Sequence, residues 1–242
     1  MKLLPGLIVS TLVSVASAQA QSSAPQKPVR ILIANGKLGS VVDAPLYFKL
    51  LQVTLAAGQS TAFLGGHAMV YPTAGAVTIE IDGEAKTLQD GDGGFIPAGK
   101  KAMLKAGAGR AATFFEFLLV ADGALAKPPN GKPAVVTELY QTPEPIRGLK
   151  AGPHEFTMTR VIAPPRLPAP PMHHRSGAAL YYVLSGSGLL KMTDRSEPRA
   201  RGAIQYEPGD FVHSWQNAGD APLILLQANL SAEGTPEIIF LP

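Results

Sequence analysis

Apolar and polar positions alternate with a period of two along much of this chain. Ala76-Val-Thr-Ile-Glu-Ile-Asp82 changes face at each residue, and Asp82-Gly83 closes the run with a dipeptide favoured in tight hairpins. Leu189-Leu-Lys-Met-Thr193 reads as a second such strand, followed by a polar loop from Asp194 to Gly202. Phe114 to Val120 and Leu223 to Leu230 are mostly apolar runs of strand length. No long helix is evident. The pattern predicts an all-β chain of short strands joined by tight turns.

The pattern also repeats. Tyr71-Pro-Thr-Ala-Gly75 and Tyr182-Val-Leu-Ser-Gly186 both run from a tyrosine to a glycine, 111 residues apart. Gly91 and Pro97 recur as Gly202 and Pro208 at the same offset. Upstream, Phe48-Lys-Leu-Leu-Gln-Val53 resembles Phe156-Thr-Met-Thr-Arg-Val161 at an offset of 108. The second copy then holds three extra residues, placed in the proline-rich stretch Pro164 to Pro171. Two tandem units follow, expected at 30–123 and 133–242, with Ala124 to Lys132 as the linker around Pro128-Pro129-Asn130-Gly131.

Composition agrees with many tight turns: 25 glycines, 22 prolines and only 16% charged residues. With no cysteine, the chain has neither disulfides nor thiolate ligands, so its stability rests on a hydrophobic core. The net charge of +3 is dispersed. Lys100-Lys101 and Arg199 to Arg201 are short clusters without interleaved aromatics, so nucleic acid is not an expected partner.

The N-terminus carries Lys2, an apolar run from Leu3 to Val15, and the small-x-small triplets Ala16-Ser17-Ala18 and Ala18-Gln19-Ala20. This is the order of a secretory signal peptide, expected at 1–20, with a polar lead-in at 21–29. The apolar run is shorter than a membrane span. The mature chain is expected to be exported, periplasmic or secreted, and free of the membrane.

The second copy resembles the cupins. That family carries two short motifs. The first is Gly, five residues, His-x-His, three or four residues, Glu, six residues, Gly. The second is Gly, five residues, Pro-x-Gly, two residues, His, three residues, Asn. Gly202-Ala-Ile-Gln-Tyr-Glu-Pro208-Gly-Asp210-Phe-Val-His213-Ser-Trp-Gln-Asn217 matches the second, with Asp210 in place of a glycine. Pro171-Met-His173-His174-Arg-Ser-Gly-Ala-Ala179 through to Gly186 resembles the first, and Gly91 to Gly99 in copy one resembles the second. The resemblance implies two antiparallel, jelly-roll-type β-barrels in tandem, a bicupin, each able to enclose a ligand.

Many cupins bind Mn, Fe, Ni, Zn or Cu through three histidines and a glutamate. Carried over with four residues before the glutamate position, the ligands fall on Met172, His174, Ala179 and His213. Two of four can ligate. His173 adds a third only with a bulge after Pro170-Pro171, because neighbours on a strand face opposite ways. In copy one the matching positions are Phe63, Ala68 and Ala102, and His67 is out of phase. Glu207, within Glu-Pro-Gly-Asp, reads as a solvated turn residue.

Three functional readings stay open. In the first, the second barrel binds a small molecule through His174, His213, Tyr181, Trp215 and Gln227, with Arg160 or Arg175 assisting if either points inward. In the second, a divalent ion on His174, His213 and His173 serves a dioxygenase, isomerase or lyase acting on a small organic acid or phenolic. The first barrel is then a scaffold, a homodimer surface or an apolar pocket, and a structural or interaction protein with barrel one as the contact surface is a third reading.

Overall fold

The alternation at Val77–Ile81 folds as its pattern requires. Val77 and Ile79 are buried, and the strand pairs with Glu84–Leu88 across a two-residue turn. Asp82 and Gly83 both adopt positive φ there (51° and 87°), which suits the right-handed twist of the flanking strands. The computed structural model describes residues 27–241. The expected signal peptide lies outside the described residues.

Among these residues there is no α-helix and hence no helix able to cross a membrane. The first half of the chain forms β1 (Val29–Ser40), β2 (Leu46–Leu55), β3 (Ser60–Phe63), β4 (His67–Ala74), β5 (Val77–Ile81), β6 (Glu84–Leu88), β7 (Gly94–Ile96), β8 (Ala102–Ala106) and β9 (Ala112–Ala121). The second forms β10 (Val135–Gln141), β11 (Pro153–Ala163), β12 (His173–Arg175), β13 (Ala178–Ser185), β14 (Ser187–Met192), β15 (Ser196–Ala200), β16 (Ile204–Glu207), β17 (His213–Gln216), β18 (Leu223–Ala232) and β19 (Ile238–Phe240).

All the pairings are antiparallel, and they make four sheets in two barrels. Barrel one combines β10-β2-β9-β4-β7 with β3-β8-β5-β6. Barrel two combines β1-β11-β18-β13-β16 with β15-β14-β17-β12-β19. The 111-residue offset maps β4 onto β13 and β9 onto β18. The repeated glycines show why it persists. Gly75 and Gly186 have φ of 69° and 76°. A Cβ there would sit 2.3 Å from the Ala111 carbonyl oxygen and 2.5 Å from that of Pro222, closer than atoms can approach.

The sheets do not follow the expected unit boundaries at 30–123 and 133–242. β1 pairs with β11 in barrel two, while β10 pairs with β2 in barrel one. Each half therefore lends an edge strand to the other. The alternation of an edge strand marks it as a strand but does not name its partner. The 124–132 segment runs along barrel one, where Asn130 bridges Phe63 and the Gly131 N–H donates to the Ala62 carbonyl.

The two large sheets pack face to face. Phe48, Leu50, Met69, Phe115 and Phe117 meet Phe156, Met158, Leu180, Leu226 and Leu230 in one buried cluster. This second contact explains the near-continuous apolar runs in β9 and β18, which are covered on both faces. Each such side chain contributes roughly 1.5–3 kcal/mol through burial.

Candidate functional site

The second barrel concentrates its polar side chains in its interior. On β12 and β17, His173 and His213 are directly paired, with ring centroids 4.5 Å apart. His173, Arg175 and His213 are 5%, 1% and 0% exposed. His174 faces the other way. Its Nδ1 lies 2.9 Å from the Arg175 carbonyl oxygen and 2.8 Å from that of Gly209. It lines an outer cleft of about 1180 Å³ together with Tyr140, Arg147, Lys150 and Tyr206.

The expected convergence of His174 with His213 is therefore inverted: His173 is the inward residue, and no bulge is needed. Alternation was the right rule, but its phase was off by one. Three residues, not four, separate Arg175 from Ala179, so the His-x-His place is filled by His173-x-Arg175. Barrel one has the same register. Phe63 pairs with Ala102 on β3 and β8, which makes Phe63 the counterpart of His173 rather than His174.

Glu207 is a second correction. It is fully buried on β16, opposite Ala179, and not a solvated turn residue. A carboxylate thus reaches the place left empty at Ala179 from the adjacent strand. Its Oε2 accepts from Arg175 Nε at 2.9 Å, and its Oε1 accepts from Trp215 Nε1 at 2.9 Å. His213 Nε2 is also 2.9 Å from Oε1, but misaligned for a hydrogen bond. Burial alone would push the Glu207 carboxyl up. The Arg175 charge and the contacts from His213 and Trp215 outweigh it and hold the carboxyl below its ordinary range.

His173 behaves oppositely. Burial, then the neighbouring His213, lowers it to about 4. Its imidazole is neutral at ordinary pH, with Nδ1 turned 3.2 Å from the Pro171 carbonyl oxygen. Arg175 keeps one buried nitrogen, Nη1, without any partner. Its guanidinium lies 5.3 Å from the Tyr181 ring centroid, and Tyr181 stacks on Trp215 at 5.7 Å.

Tyr181 and Gln227 also face this interior. The Tyr181 hydroxyl donates to Gln227 Oε1 at 3.0 Å, and Arg30 Nη2 donates to the same oxygen at 2.7 Å. Glu237 completes the group by accepting from Thr157 Oγ1 at 2.6 Å and pairing with Arg30 at 3.5 Å. Sequence reasoning missed Arg30, Glu207 and Glu237. No local signal marks Arg30, because it arrives on the exchanged β1. Arg160 does not join the site; it lies with Tyr71, Asp90 and Tyr182 along the seam between barrels.

These residues do not fit a divalent ion. The four ligand positions hold His173, Arg175, Ala179 and His213. Glu207, the carboxylate beside them, is held by the Arg175 guanidinium. An ion bound there would face that cation at close range. Among the described residues no three His, Asp or Glu side chains form a group able to hold a metal.

Barrel one contrasts. Its interior is built from Leu51, Val53, Phe63, Val70, Phe114 and Leu118, among others. Glu116, the repeat counterpart of Gln227, is buried there and accepts from Asn130 Nδ2 at 2.8 Å. Burial pushes Glu116 up to about 8, against a smaller opposite effect of the Asn130 bond. Glu116 Oε1 and Asn130 Oδ1 are both buried without partners, and a proton on Glu116 supplies the donor they lack. His67 is half-buried, its Nδ1 accepting the Ala98 N–H at 3.1 Å.

No family model and no curated protein sequence matches this chain. Solved structures do. Oxalate decarboxylase of Bacillus subtilis superposes with a TM-score of 0.55 at 13% identity, covering 91% of this chain and 80% of that one. Oxalate decarboxylase of Lactobacillus farciminis, in complex with formate, gives 0.55 at 13% identity over 90% of each chain. AerE of Microcystis aeruginosa gives 0.51 at 14% identity, covering 85% of this chain and 97% of that one. The chain has the cupin fold. At these identities the likeness extends to the fold alone. The Bacillus subtilis cupin has Mn(II) centres; here the corresponding interior holds an arginine–glutamate pair.

Proposed function

We propose that this chain is an exported protein whose second barrel binds a small molecule. The supporting observation is the buried constellation of His173, Arg175, Glu207 and His213. Burying four ionisable groups is costly, and a fold retains them where they serve a task. Barrel one has the same frame with Phe63, Ala68 and Ala102 at matching places, which suits it as a scaffold. Tyr181, Trp215 and Gln227 supply aromatic walls and hydrogen bonds.

A metal-dependent enzyme is the second reading, and the Mn(II) centres of a structural neighbour favour it. The Arg175–Glu207 pair weighs against it here. A broad screen of small molecules for thermal stabilisation tests the first reading. A ligand at 100 times its Kd stabilises by about 2.7 kcal/mol. Hits are expected to lose that effect in His173→Ala and weaken in Tyr181→Phe. Hits that both variants bind unchanged would move the site out of barrel two. Export predicts a mature chain beginning near Gln19 or Gln21, checked by its intact mass.

A further inference from the structure

We infer that Arg175 stands in for a metal ion in barrel two, and that its Nη1 receives the carboxylate of a small organic acid with no metal taking part. This rests on the binding function proposed above and names its ligand class.

Three observations carry it. The register of β12 places Arg175 where the family's pattern has a metal-binding histidine, and Ala179 where it has the glutamate. A guanidinium there places one positive charge where the pattern has a metal ion, with hydrogen-bond donors in place of coordination geometry. Glu207 then serves as the counter-charge that makes the buried guanidinium tolerable.

The guanidinium is also only partly used. Nε is committed to Glu207, while Nη1 is buried and has no partner. A buried donor left unpaired costs roughly 1–3 kcal/mol, and more when charged. An incoming carboxylate removes that cost through a charge-assisted bond. A neutral ligand recovers less of it.

The surroundings suit an acid. His173 turns its Nδ1 to the Pro171 carbonyl oxygen and leaves its ring against His213. The Tyr181 and Trp215 rings form an apolar wall. Arg30 is already engaged by Gln227 and Glu237, which leaves Arg175 as the cation with an unused donor. The Phe240 ring, on β19, is exposed and lies 5.6 Å from His173.

The test uses the full mature chain stripped with a chelator. Acetate, benzoate and succinate are titrated against acetamide, benzamide and succinamide by calorimetry and thermal shift. At least one acid is expected to bind about tenfold or more tighter than its amide. Its Kd should be the same in chelator and in added Mn(II). The charge-balanced Arg175→Met/Glu207→Gln variant should fold and lose the acid by a similar factor. The Arg175→His/Ala179→Glu variant should take up roughly one equivalent of Mn(II) or Zn(II), while the parent takes up far less.

Acids that bind no better than amides would overturn the carboxylate anchor. If amides still bind and lose binding in His173→Ala, the broader binding function survives that failure. Acid binding that needs added metal, or a parent that itself takes up a full equivalent, would overturn the substitution of guanidinium for metal.

Discussion

The two barrels share a frame and differ in their contents. β4 and β9 recur as β13 and β18, and Gly75 and Gly91 as Gly186 and Gly202, at an offset of 111 residues. Inside, barrel one is an apolar core with one buried carboxyl, whereas barrel two holds Arg175, Glu207, His173, His213 and Gln227. The shell is constrained by backbone pairing and close approach, which tolerate few changes. The interior needs only to be filled and internally satisfied. One barrel can therefore be filled with apolar side chains while the other carries polar groups, at some expense in stability.

Substitutions that unbalance the polar interior should show this most strongly. Arg175→Met alone leaves Glu207 charged, buried and unpaired, and should destabilise the protein by about 3–5 kcal/mol. Adding Glu207→Gln should restore most of that loss. Urea unfolding of the parent and the two variants measures it, and equal stability of single and double variants would contradict the picture.

The shared face joins the barrels energetically. Phe117→Ala in the inter-barrel cluster should cost about 3–5 kcal/mol while leaving one cooperative transition. A variant that melts in two steps would show that the barrels are stable apart.

The buried carboxyl of barrel one sets a pH dependence. Glu116 is raised in the folded state, so it binds a proton there that it loses in the unfolded chain. Its contribution is complete below the unfolded carboxyl range and is lost as pH rises through about 8. His173, lowered to about 4, acts with the opposite sign and finishes near the ordinary histidine range. Between pH 6.5 and 8, stability should fall by roughly 1.4 kcal/mol per pH unit. Glu116→Gln should flatten that slope. A slope retained in the variant would place its origin elsewhere.

The smallest expected effect is at Tyr181. Removing its hydroxyl with Tyr181→Phe frees one acceptor site on Gln227, whose Oε1 still holds Arg30. The loss should be about 0.5–1.5 kcal/mol by urea unfolding.

Much of the architecture was legible in the residue pattern. Alternation at 77–81, the Asp82-Gly83 turn and the Tyr-to-Gly repeat all act over a few residues, so they announce strands and turns directly. Ala179 also showed that the usual metal carboxylate is absent. Tyr181 and Gln227 were rightly placed in the interior. His173 and His174 were assigned to the wrong faces, because four residues were counted before the Ala179 position where the pairing of β12 requires three. Glu207 looked like a turn residue because its neighbours Pro208, Gly209 and Asp210 are.

Short-range rules thus settle strand, turn and repeat for this protein: steric and hydrophobic preferences operate within a few residues of each position. Which face of β12 points inward, which barrel receives β1 and β10, and the meeting of Arg30, Arg175 and Glu207 come from pairing between distant strands. A one-residue slip in such pairing turns every side chain to the other face. The chemistry of the site therefore emerges only once the sheets have closed.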